Sequence, residues 1–336
     1  MKRAALLLLA PALFAQPHVQ DAHFETRAVS GSLEATFRAI VGAQTGPAWI
    51  GYAQPQAAGS GRDGSCQAWL ESGDRDALAP PGTAHLEGAT EYYVFFRVEN
   101  RQVGKIRTFS IDCSIDAGGL PFYWLTGVVR AQSVALLESF ASSSERRMVN
   151  NALTGIALDR DLSADAVLDR LSAPTQPEET RRQAAFWLGV ARGRHGYESL
   201  LRILRDDPSD GVRERAVFAL SQNQEPEAIP AVVRIAREDR SARVRGQALV
   251  ELAQKAAKQI SEEAIRRAIA QDPDTEVKKR AVFALTQMRD GDGVPLLIEV
   301  ARTNSNAAVK KQAMFWLGQS KDPRAVKFFE DILAGH

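Results

Sequence analysis

Side chains that could carry out chemistry are sparse in the N-terminal half of this 336-residue sequence. Asp112 and Asp116 stand beside a glycine pair, but two carboxylates with only hydroxyl groups nearby fall short of the roughly six to eight oxygen ligands that calcium takes. His23 and His85 each stand alone, without a nucleophile at the spacing of a catalytic triad. We therefore predict no catalytic residue, no metal site and no cofactor, and we interpret residues 112–119 as a polar turn.

The first residues of the sequence are typical of a secretory signal peptide. Lys2 and Arg3 precede an apolar run over residues 4–15, which is too short to span a membrane. A buried N-terminal helix is the alternative interpretation. We predict a signal peptide over residues 1–15, a periplasmic or secreted mature protein, and no membrane insertion once the peptide is removed.

Export bears on the interpretation of the two cysteines, Cys66 and Cys113. In an oxidising compartment the expected use of such a pair is a disulfide, which would contribute about 3–4 kcal/mol in the chain-entropy picture. Two buried free thiols are the alternative, and a catalytic thiol would need a base beside it. We predict a Cys66–Cys113 disulfide within an N-terminal domain that spans residues 16–130.

The overall composition excludes few functions and favours none. The sequence is 45% hydrophobic and 25% charged, with a formal net charge of +1. This is an ordinary globular composition, and the length allows two domains. A charge so close to zero gives no overall attraction to nucleic acid, to a membrane surface or to an acidic substrate.

The C-terminal part of the sequence contains a repeated motif with a period of 32 or 33 residues. Five copies are centred on Ala184, Ala216, Ala248, Ala281 and Ala313, and a weaker sixth copy on Ala152. Each copy contains two amphipathic helical patterns separated by a break that often contains proline. Because one such helix pair cannot bury its apolar face alone, the copies must stack. The sequence predicts about six stacked helical repeats over residues 131–336.

The motif resembles that of a known repeat family. Its residues follow the pattern D-P-x-x-x-V-[RK]-x-x-A-x-x-x-L, with D-P-x-A-V after it, as in VKKRAVFALT from Val277 and VKKQAMFWLG from Val309. This arrangement is similar to the HEAT-like repeats of bacterial proteins, the type named from phycobilisome bilin lyases. The resemblance covers about residues 144–336 and implies a mainly α protein, a right-handed α-solenoid preceded by a small α+β domain. It implies no activity, because this repeat serves many unrelated roles.

Two enzyme families with such repeats can be compared residue by residue. Deoxyhypusine hydroxylases hold a di-iron centre through repeated His-Glu pairs, whereas His195 of this sequence is followed by Gly196. Bilin lyases attach a chromophore, and nothing in this sequence marks a tetrapyrrole pocket. Neither activity carries over, so we predict that the protein is not an enzyme.

One basic side chain recurs next to the first apolar residue of the motif. This set, the basic ladder, consists of Arg181, Arg213, Arg245, Lys278 and Lys310. Each member precedes the central alanine by three residues, an offset of about 60° that places it on the side of the buried leucine. We expect it to pair with loop acids such as Asp210 or Asp274 and so to join adjacent repeats. An electropositive stripe for an anionic partner is the alternative.

The two positions after each ladder residue are also rich in basic side chains. They carry Arg182, Arg215, Lys279, Arg280 and Lys311. These positions point away from the expected core, so we predict a solvated basic face. Glu214 and Gly246 interrupt it, and together with the near-zero net charge they argue against a nucleic-acid partner.

Phenylalanine occupies the second position after four of the central alanines. This set, the aromatic row, consists of Phe186, Phe218, Phe283 and Phe315, with Val250 in the remaining copy. Two residues correspond to about 200°, which is opposite the buried stripe. Each ring could simply pack on its neighbour along the stack. Alternatively, the rings form a partly exposed apolar strip of the kind that binds a partner.

The N-terminal domain shows the patterns of a small α+β fold. We predict a helix over residues 32–41, strands over 48–53, 91–99 and 103–111, an apolar segment over 121–128, and a long loop over 54–88. The strand over 91–99 is apolar on both faces and should be central in a sheet. It should pair with the next strand as an antiparallel hairpin.

Taken together, these patterns favour an exported interaction scaffold whose solenoid surface binds a protein or peptide. The alternative is an enzyme or enzyme accessory with a pocket in the N-terminal domain. Convergence of Asp112, Asp116 and His85 in one cleft would favour that alternative.

Overall fold

The structure is a computed structural model that describes residues 17–57, 66–71, 77–78, 90–143 and 145–334. The predicted signal peptide, His85 and most of the predicted loop over 54–88 lie outside these residues. The chain divides into two compact units, of which the first ends at Ala164 and the second begins at Asp165. The sequence places this division earlier, at residues 130–131.

A mixed β-sheet forms the centre of the first unit. Its strands are β1 (Val19–Ala28), β2 (Ala48–Pro55), β3 (Cys66–Trp69), β4 (Ala77–Leu78), β5 (Glu91–Glu99), β6 (Gln102–Ser110) and β7 (Ser114–Thr126). Their order is β4-β3-β7-β2-β5-β6, and β1 pairs in parallel with β7. The helices of this unit are α1 (Leu33–Ala43), α2 (Arg130–Ala141) and α3 (Arg146–Leu158).

Strand β5 is buried on both faces, as its sequence predicts. Phe96 contacts Phe37 of α1, with ring centroids 4.8 Å apart, on the side of the sheet that packs against helices. Phe95 faces the other way and meets Phe122 of β7 at 5.5 Å. The hairpin of β5 and β6 is also confirmed, with positive φ angles of 52° and 62° at Asn100 and Arg101 in its turn.

The predicted long loop and the predicted polar turn are both wrong in part. Strands β3 and β4 fall inside residues 54–88, and they are too short to show an alternating pattern of their own. Strand β7 begins at Ser114 and continues through the glycine pair. Gly118 and Gly119 have φ angles of 64° and 74°, which accommodate a bulge where β1 and β7 change register.

The backbone brings the two cysteine positions side by side. Gln67 of β3 pairs with Ser114 of β7, so Cys66 and Cys113 occupy adjoining positions just before this pair. Cys113 is buried in the apolar cluster of the sheet. This register is compatible with the disulfide, which remains a prediction.

The weak sixth copy of the motif folds with the first unit. Its helix, α3, packs against α2 and β6. The side-chain amide of Asn151 donates to the carbonyl oxygen of Ile106 at 2.8 Å, and the hydroxyl of Tyr92 donates to the carbonyl oxygen of Gly155 at 2.8 Å. These bonds tie α3 to the sheet, and the compact division therefore falls after it.

The second unit is a stack of antiparallel helix pairs. Helix α4 (Ser163–Leu171) crosses the division, and α5 (Glu178–Ala191), α6 (Gly193–Asp206), α7 (Asp210–Gln222), α8 (Ala228–Glu238), α9 (Ala242–Lys255), α10 (Lys258–Gln271), α11 (Thr275–Thr286), α12 (Val294–Thr303), α13 (Ala307–Gln319) and α14 (Pro323–Leu333) follow. Helices α5, α7, α9, α11 and α13 contact one another extensively along the stack, whereas α6, α8, α10, α12 and α14 contact one another little. We name these sets the inner and the outer layer. The fold is therefore mainly helical, a helical repeat solenoid preceded by a small strand-containing domain.

Candidate functional site

Small residues at the centre of each motif let the inner-layer helices approach closely. The five central alanines are fully buried. Gly189 of α5 lies so near α7 that a Cβ added to it would stand 2.5 Å from the carbonyl oxygen of Ala219. The accessible surface of the inner layer is consequently built from the opposite side of each helix, where the aromatic row lies.

The three arginines of the basic ladder are buried and pair with aspartates at the ends of outer-layer helices. The pairs are Arg181–Asp207, Arg213–Asp239 and Arg245–Asp272. In the last pair Nε and Nη2 of Arg245 donate to the two carboxylate oxygens of Asp272 at 2.8 and 2.9 Å. Two parallel charge-assisted bonds of this kind fix the geometry of each helix pair.

Each pair is also linked to the next one along the stack. Nη1 of Arg213 donates to the carbonyl oxygen of Asp207 at 2.8 Å, and Nη1 of Arg245 donates to that of Asp239 at 2.9 Å. The buried carboxylates and guanidinium groups therefore form one continuous series between the layers. Because their donors and acceptors are used within the protein, these groups are not available to a partner.

The partners of the ladder agree in part with those expected from the sequence. Asp210 contacts Arg213 at 2.7 Å, but only in addition to the buried aspartate. Asp274 instead caps α11, where it accepts a hydrogen bond from the backbone nitrogen of Glu276 at 2.7 Å. For each of the three ladder arginines, the main partner is the aspartate at the C-terminal end of the next helix along the chain.

The ladder changes character at its fourth position. Lys278 replaces arginine, and its Nζ lies 3.5 Å from the carbonyl oxygen of Ala270. Asn304 stands where the earlier units have aspartate, and it keeps the local bond of that aspartate by accepting from the backbone nitrogen of Asn306 at 2.9 Å. Lysine therefore keeps the positive charge of the ladder without the planar guanidinium group, whereas asparagine removes the negative charge of its partner. For Lys310 the corresponding position lies outside the described residues.

The aromatic row lies on the accessible side of the inner layer. Phe186 and Phe218 are half-buried and stacked on each other, with ring centroids 6.2 Å apart and planes 17° apart. Phe283 packs against Trp316 of the next inner helix at 5.2 Å. Phe315 is 54% exposed. The row is therefore partly packed along the stack and partly open to solvent.

Arg215 is inserted into the aromatic row. Its guanidinium carbon lies 4.4 Å from the ring centre of Phe186 and 5.2 Å from that of Phe218, so the cation joins the rings of α5 and α7. Burial against these rings, with the nearby charge of Arg182, lowers the pKa of Arg215. This side chain is half-buried rather than freely solvated, which corrects the sequence-based expectation.

Arg280 occupies the equivalent position two repeats later. Its guanidinium carbon lies 5.0 Å from the ring centre of Phe283. Its stem crosses α9 at Gly246, where an added Cβ would stand 2.8 Å from Arg280 Cγ. Nη2 of Arg280 donates to the side-chain oxygen of Gln247 at 3.4 Å. The glycine that interrupts the basic face in the sequence makes room for this arginine.

A second polar cluster lies in the outer layer beside a cavity of about 240 Å³. The carboxylate of Asp169 and the hydroxyl of Ser199 approach the same nitrogen of His195, Nε2, at 3.2 and 3.4 Å. Ser199 donates directly to Asp169 at 2.7 Å, and Arg202 also binds this carboxylate at 3.2 Å. A catalytic triad requires the histidine between the acid and the nucleophile. The cluster therefore links helices α4 and α6 and lacks the geometry of a nucleophilic site.

The acids singled out in the N-terminal domain serve local structure. Asp116 accepts a hydrogen bond from the backbone nitrogen of Gly118 at 2.8 Å beside the β7 bulge. Asp112 lies 3.4 Å from the hydroxyl of Ser110. Within the part of the chain that the structure describes, no group of three or more His, Cys, Asp or Glu side chains could hold a metal ion.

The stacking of Arg215 and Arg280 on the aromatic row was not predicted from the sequence. Both immediately precede a central alanine, and in both cases phenylalanine follows three residues later. This shared spacing is visible in the sequence, but the stacking of each cation on aromatic rings depends on the close approach of neighbouring helices. The candidate site therefore combines the aromatic row with these two arginines.

Several solved structures and one family model are similar to this chain. The chain is similar to the solved structure of YibA of Escherichia coli, at 15% identity and a TM-score of 0.36, covering 60% of this chain and 81% of that one. It is similar to the complex of CpcE and CpcF of phycocyanin lyase from Nostoc, at 19% identity and a TM-score of 0.35, covering 48% of this chain and 100% of that one. It is also similar to human deoxyhypusine hydroxylase, at 15% identity and a TM-score of 0.26, covering 59% of this chain and 77% of that one. No curated protein matches the sequence. Residues 164–253 and 262–335 match the family model of HEAT repeats.

Proposed function

We propose that this chain is an exported scaffold that binds a protein or peptide partner through the aromatic row. Repeats of the HEAT and armadillo type are commonly protein-interaction scaffolds, because a stacked array offers a long surface without any catalytic chemistry. The observation that carries the proposal is the half-exposed row of rings on the inner layer, with arginines stacked among them. Apolar area rimmed by polar groups is a usual mark of a binding surface.

Aromatic and arginine side chains are the residues most often responsible for binding energy at protein interfaces. Phe186, Phe218 and Arg215 already form a stacked group, so little side-chain entropy remains to be lost when a partner covers them. Phe315 at the other end of the row remains largely exposed. A bound segment would remove these rings from water without unfolding any described element.

Export is the second part of the proposal and rests on residues 1–15. In the described part of the chain, none of the helices is long and apolar enough to cross a membrane. A cleaved signal peptide would place the scaffold in the periplasm or outside the cell, where its partner would be found.

The test begins with a selection of binders from a library of random short peptides displayed on phage, using the full chain as the target. The affinity of each selected peptide is then measured by fluorescence anisotropy for the wild type and for the double variant Phe218→Ser, Phe283→Ser. We expect the dissociation constant to rise at least about tenfold, because two buried contacts of roughly 1 kcal/mol or more each are removed.

A matched control removes two exposed apolar side chains from the outer layer. Ile260 and Ile332 are 41% and 42% exposed, and the double variant Ile260→Ser, Ile332→Ser should bind as the wild type does. Equal affinity of the Phe218→Ser, Phe283→Ser variant would contradict the proposal. So would a large loss of helical circular dichroism in that variant, since the rings would then be core residues.

A further inference from the structure

Arg215 and Arg280, which stack on rings of the aromatic row, differ from the arginines of the basic ladder in their ionic partners. Every ladder arginine binds a carboxylate, at 2.8 to 3.2 Å. Arg215 and Arg280 stack on rings instead, and among the described residues no carboxylate forms an ion pair with either of them. Each therefore keeps guanidinium donors that no carboxylate occupies.

The acids closest in sequence to these arginines are already paired with other cations. Glu214 binds Arg243 at 2.8 Å, and Glu276 binds Lys279 at 2.9 Å. Glu179 lies 3.6 Å from Arg182. Among the described residues, Arg215 and Arg280 are therefore cations of the aromatic surface that form no ion pair with a carboxylate.

Partial removal from water makes an unpaired cation unfavourable. Burial against Phe186 and Phe218 and the repulsion of Arg182 lower the pKa of Arg215, although the nearby carboxylate of Glu179 acts in the opposite direction. A carboxylate from a partner would offset this loss, and the planar guanidinium group can bind both oxygens of a carboxylate at once. The site therefore favours an anionic group beside apolar groups.

We infer that the partner segment is an acidic peptide in extended conformation, whose two carboxylates bind Arg215 and Arg280 while apolar side chains between them cover the aromatic row. The inference rests on the proposed function. The two arginines hold the same position on α7 and α11, which are separated by one inner helix. With neighbouring helices about 8–10 Å apart, they lie about 16–20 Å from each other.

An extended chain advances about 3.3 Å per residue, so this distance corresponds to about five or six residues. The expected recognition sequence thus has two acidic residues about five or six positions apart, with at least one large apolar residue between them. Recognition of the segment requires both its acidic and its apolar residues, because each of the two arginines stacks on a ring of the aromatic row.

The test compares the binding of selected peptides to the full-length wild type, to the two single glutamine variants of Arg215 and Arg280, and to three double variants. Arg215→Gln, Arg280→Gln removes both charges while keeping much of each stem. Arg205→Gln, Arg266→Gln removes two exposed charges from the outer layer and serves as the matched control. Arg215→Lys, Arg280→Lys keeps the charges without the planar donors and should bind with intermediate affinity.

We expect peptides selected on the wild type to be enriched in paired acidic residues. Their dissociation constants should rise about tenfold for either single glutamine variant and about a hundredfold for the double variant. The outer-layer control should bind as the wild type does. Binding should also weaken at high salt, because the arginines remain close to solvent.

Three results would overturn the inference, and they separate it from the proposed function. Peptides that depend on Phe218 and Phe283 but not on the arginines would refute the acidic segment and leave the scaffold function standing. Peptides that depend on neither set would refute both. Displacement of the peptides by a single-stranded oligonucleotide, with the same dependence on Arg215 and Arg280, would assign the surface to nucleic acid instead.

Discussion

Arginine side chains serve two distinct purposes within the same inner helix. In α7, Arg213 is fully buried and bonded to Asp239, whereas Arg215, two residues later, lies between aromatic rings at the surface. The helical period separates the two side chains by about 200°. One is therefore part of the interior of the array, and the other is part of its surface.

This difference predicts unequal effects of the same substitution. Arg213→Met should lower the free energy of unfolding by about 3–5 kcal/mol, because Asp239 would remain buried without its cation. Arg215→Met keeps an apolar stem against the rings and should change the free energy of unfolding by less than about 1 kcal/mol. Urea denaturation followed by circular dichroism measures both. Similar losses for the two variants would show that the surface arginine is also structural.

The residue types of the ladder could be predicted from the sequence, but their partners could not. The aspartates that pair with Arg181, Arg213 and Arg245 lie 26, 26 and 27 positions further along the chain. That separation spans a whole helix pair, and the geometry of its two helices decides which acid of the following loop reaches the guanidinium group. Asp210 binds Arg213 in addition to its buried partner, whereas Asp274 caps α11 instead.

At the scale of elements, the connection after α12 lacks the buried ion pair of the earlier connections. Lys278 and Asn304 occupy the positions of arginine and aspartate there. Asn304 still holds the turn through its bond to Asn306, so the local cap is kept while the link between the layers is lost. The array should be less rigid at this connection than at those of α6, α8 and α10.

Restoring both partners should restore the link. We expect Lys278→Arg and Asn304→Asp to be non-additive, with a favourable coupling of about 0.5–3 kcal/mol in the free energy of unfolding of the double variant. A double-mutant cycle measured by urea denaturation gives this coupling directly. Additive effects would mean that the backbone at this connection does not bring the two groups together.

Elements with a strong pattern were predictable, and those formed by pairing alone were not. The five motif copies specify the inner helices, and the apolar run of β5 specifies a central strand. Strands β3 and β4 carry no such pattern, since their four and two residues are ordered by their strand neighbours. The continuation of β7 through Gly118 and Gly119 was hidden by residues that usually mark a turn.

At the scale of the whole molecule, the N-terminal unit depends on a sheet in which one cysteine position begins β3 and the other immediately precedes the neighbouring strand β7. Export and the predicted disulfide can be examined in one measurement, the intact mass of the chain recovered from the periplasm of a bacterial host. We expect a chain that begins at Gln16 and is lighter than its reduced form by two hydrogen atoms. An unprocessed chain would contradict export, and an unchanged mass on reduction would contradict the disulfide.

The fold of the second unit could be predicted from the repeated motif, whereas the residues of its candidate site could be predicted only in part. The spacing of Phe186, Phe218, Phe283 and Phe315 indicated a row on the accessible side of the helices. The insertion of Arg215 between two rings was not predictable, because it depends on how closely α5 and α7 approach each other. Small residues such as Gly189 set that approach, and their role is visible only in the packed structure.

Site-specific photo-crosslinking shows directly whether the inner layer binds the partner. Benzoylphenylalanine is placed either at position 315, at the exposed end of the aromatic row, or at position 260 in the outer layer, and each full-length variant is irradiated with a selected peptide. We expect a covalent adduct from position 315 and none from position 260. An adduct from position 260 alone would contradict it.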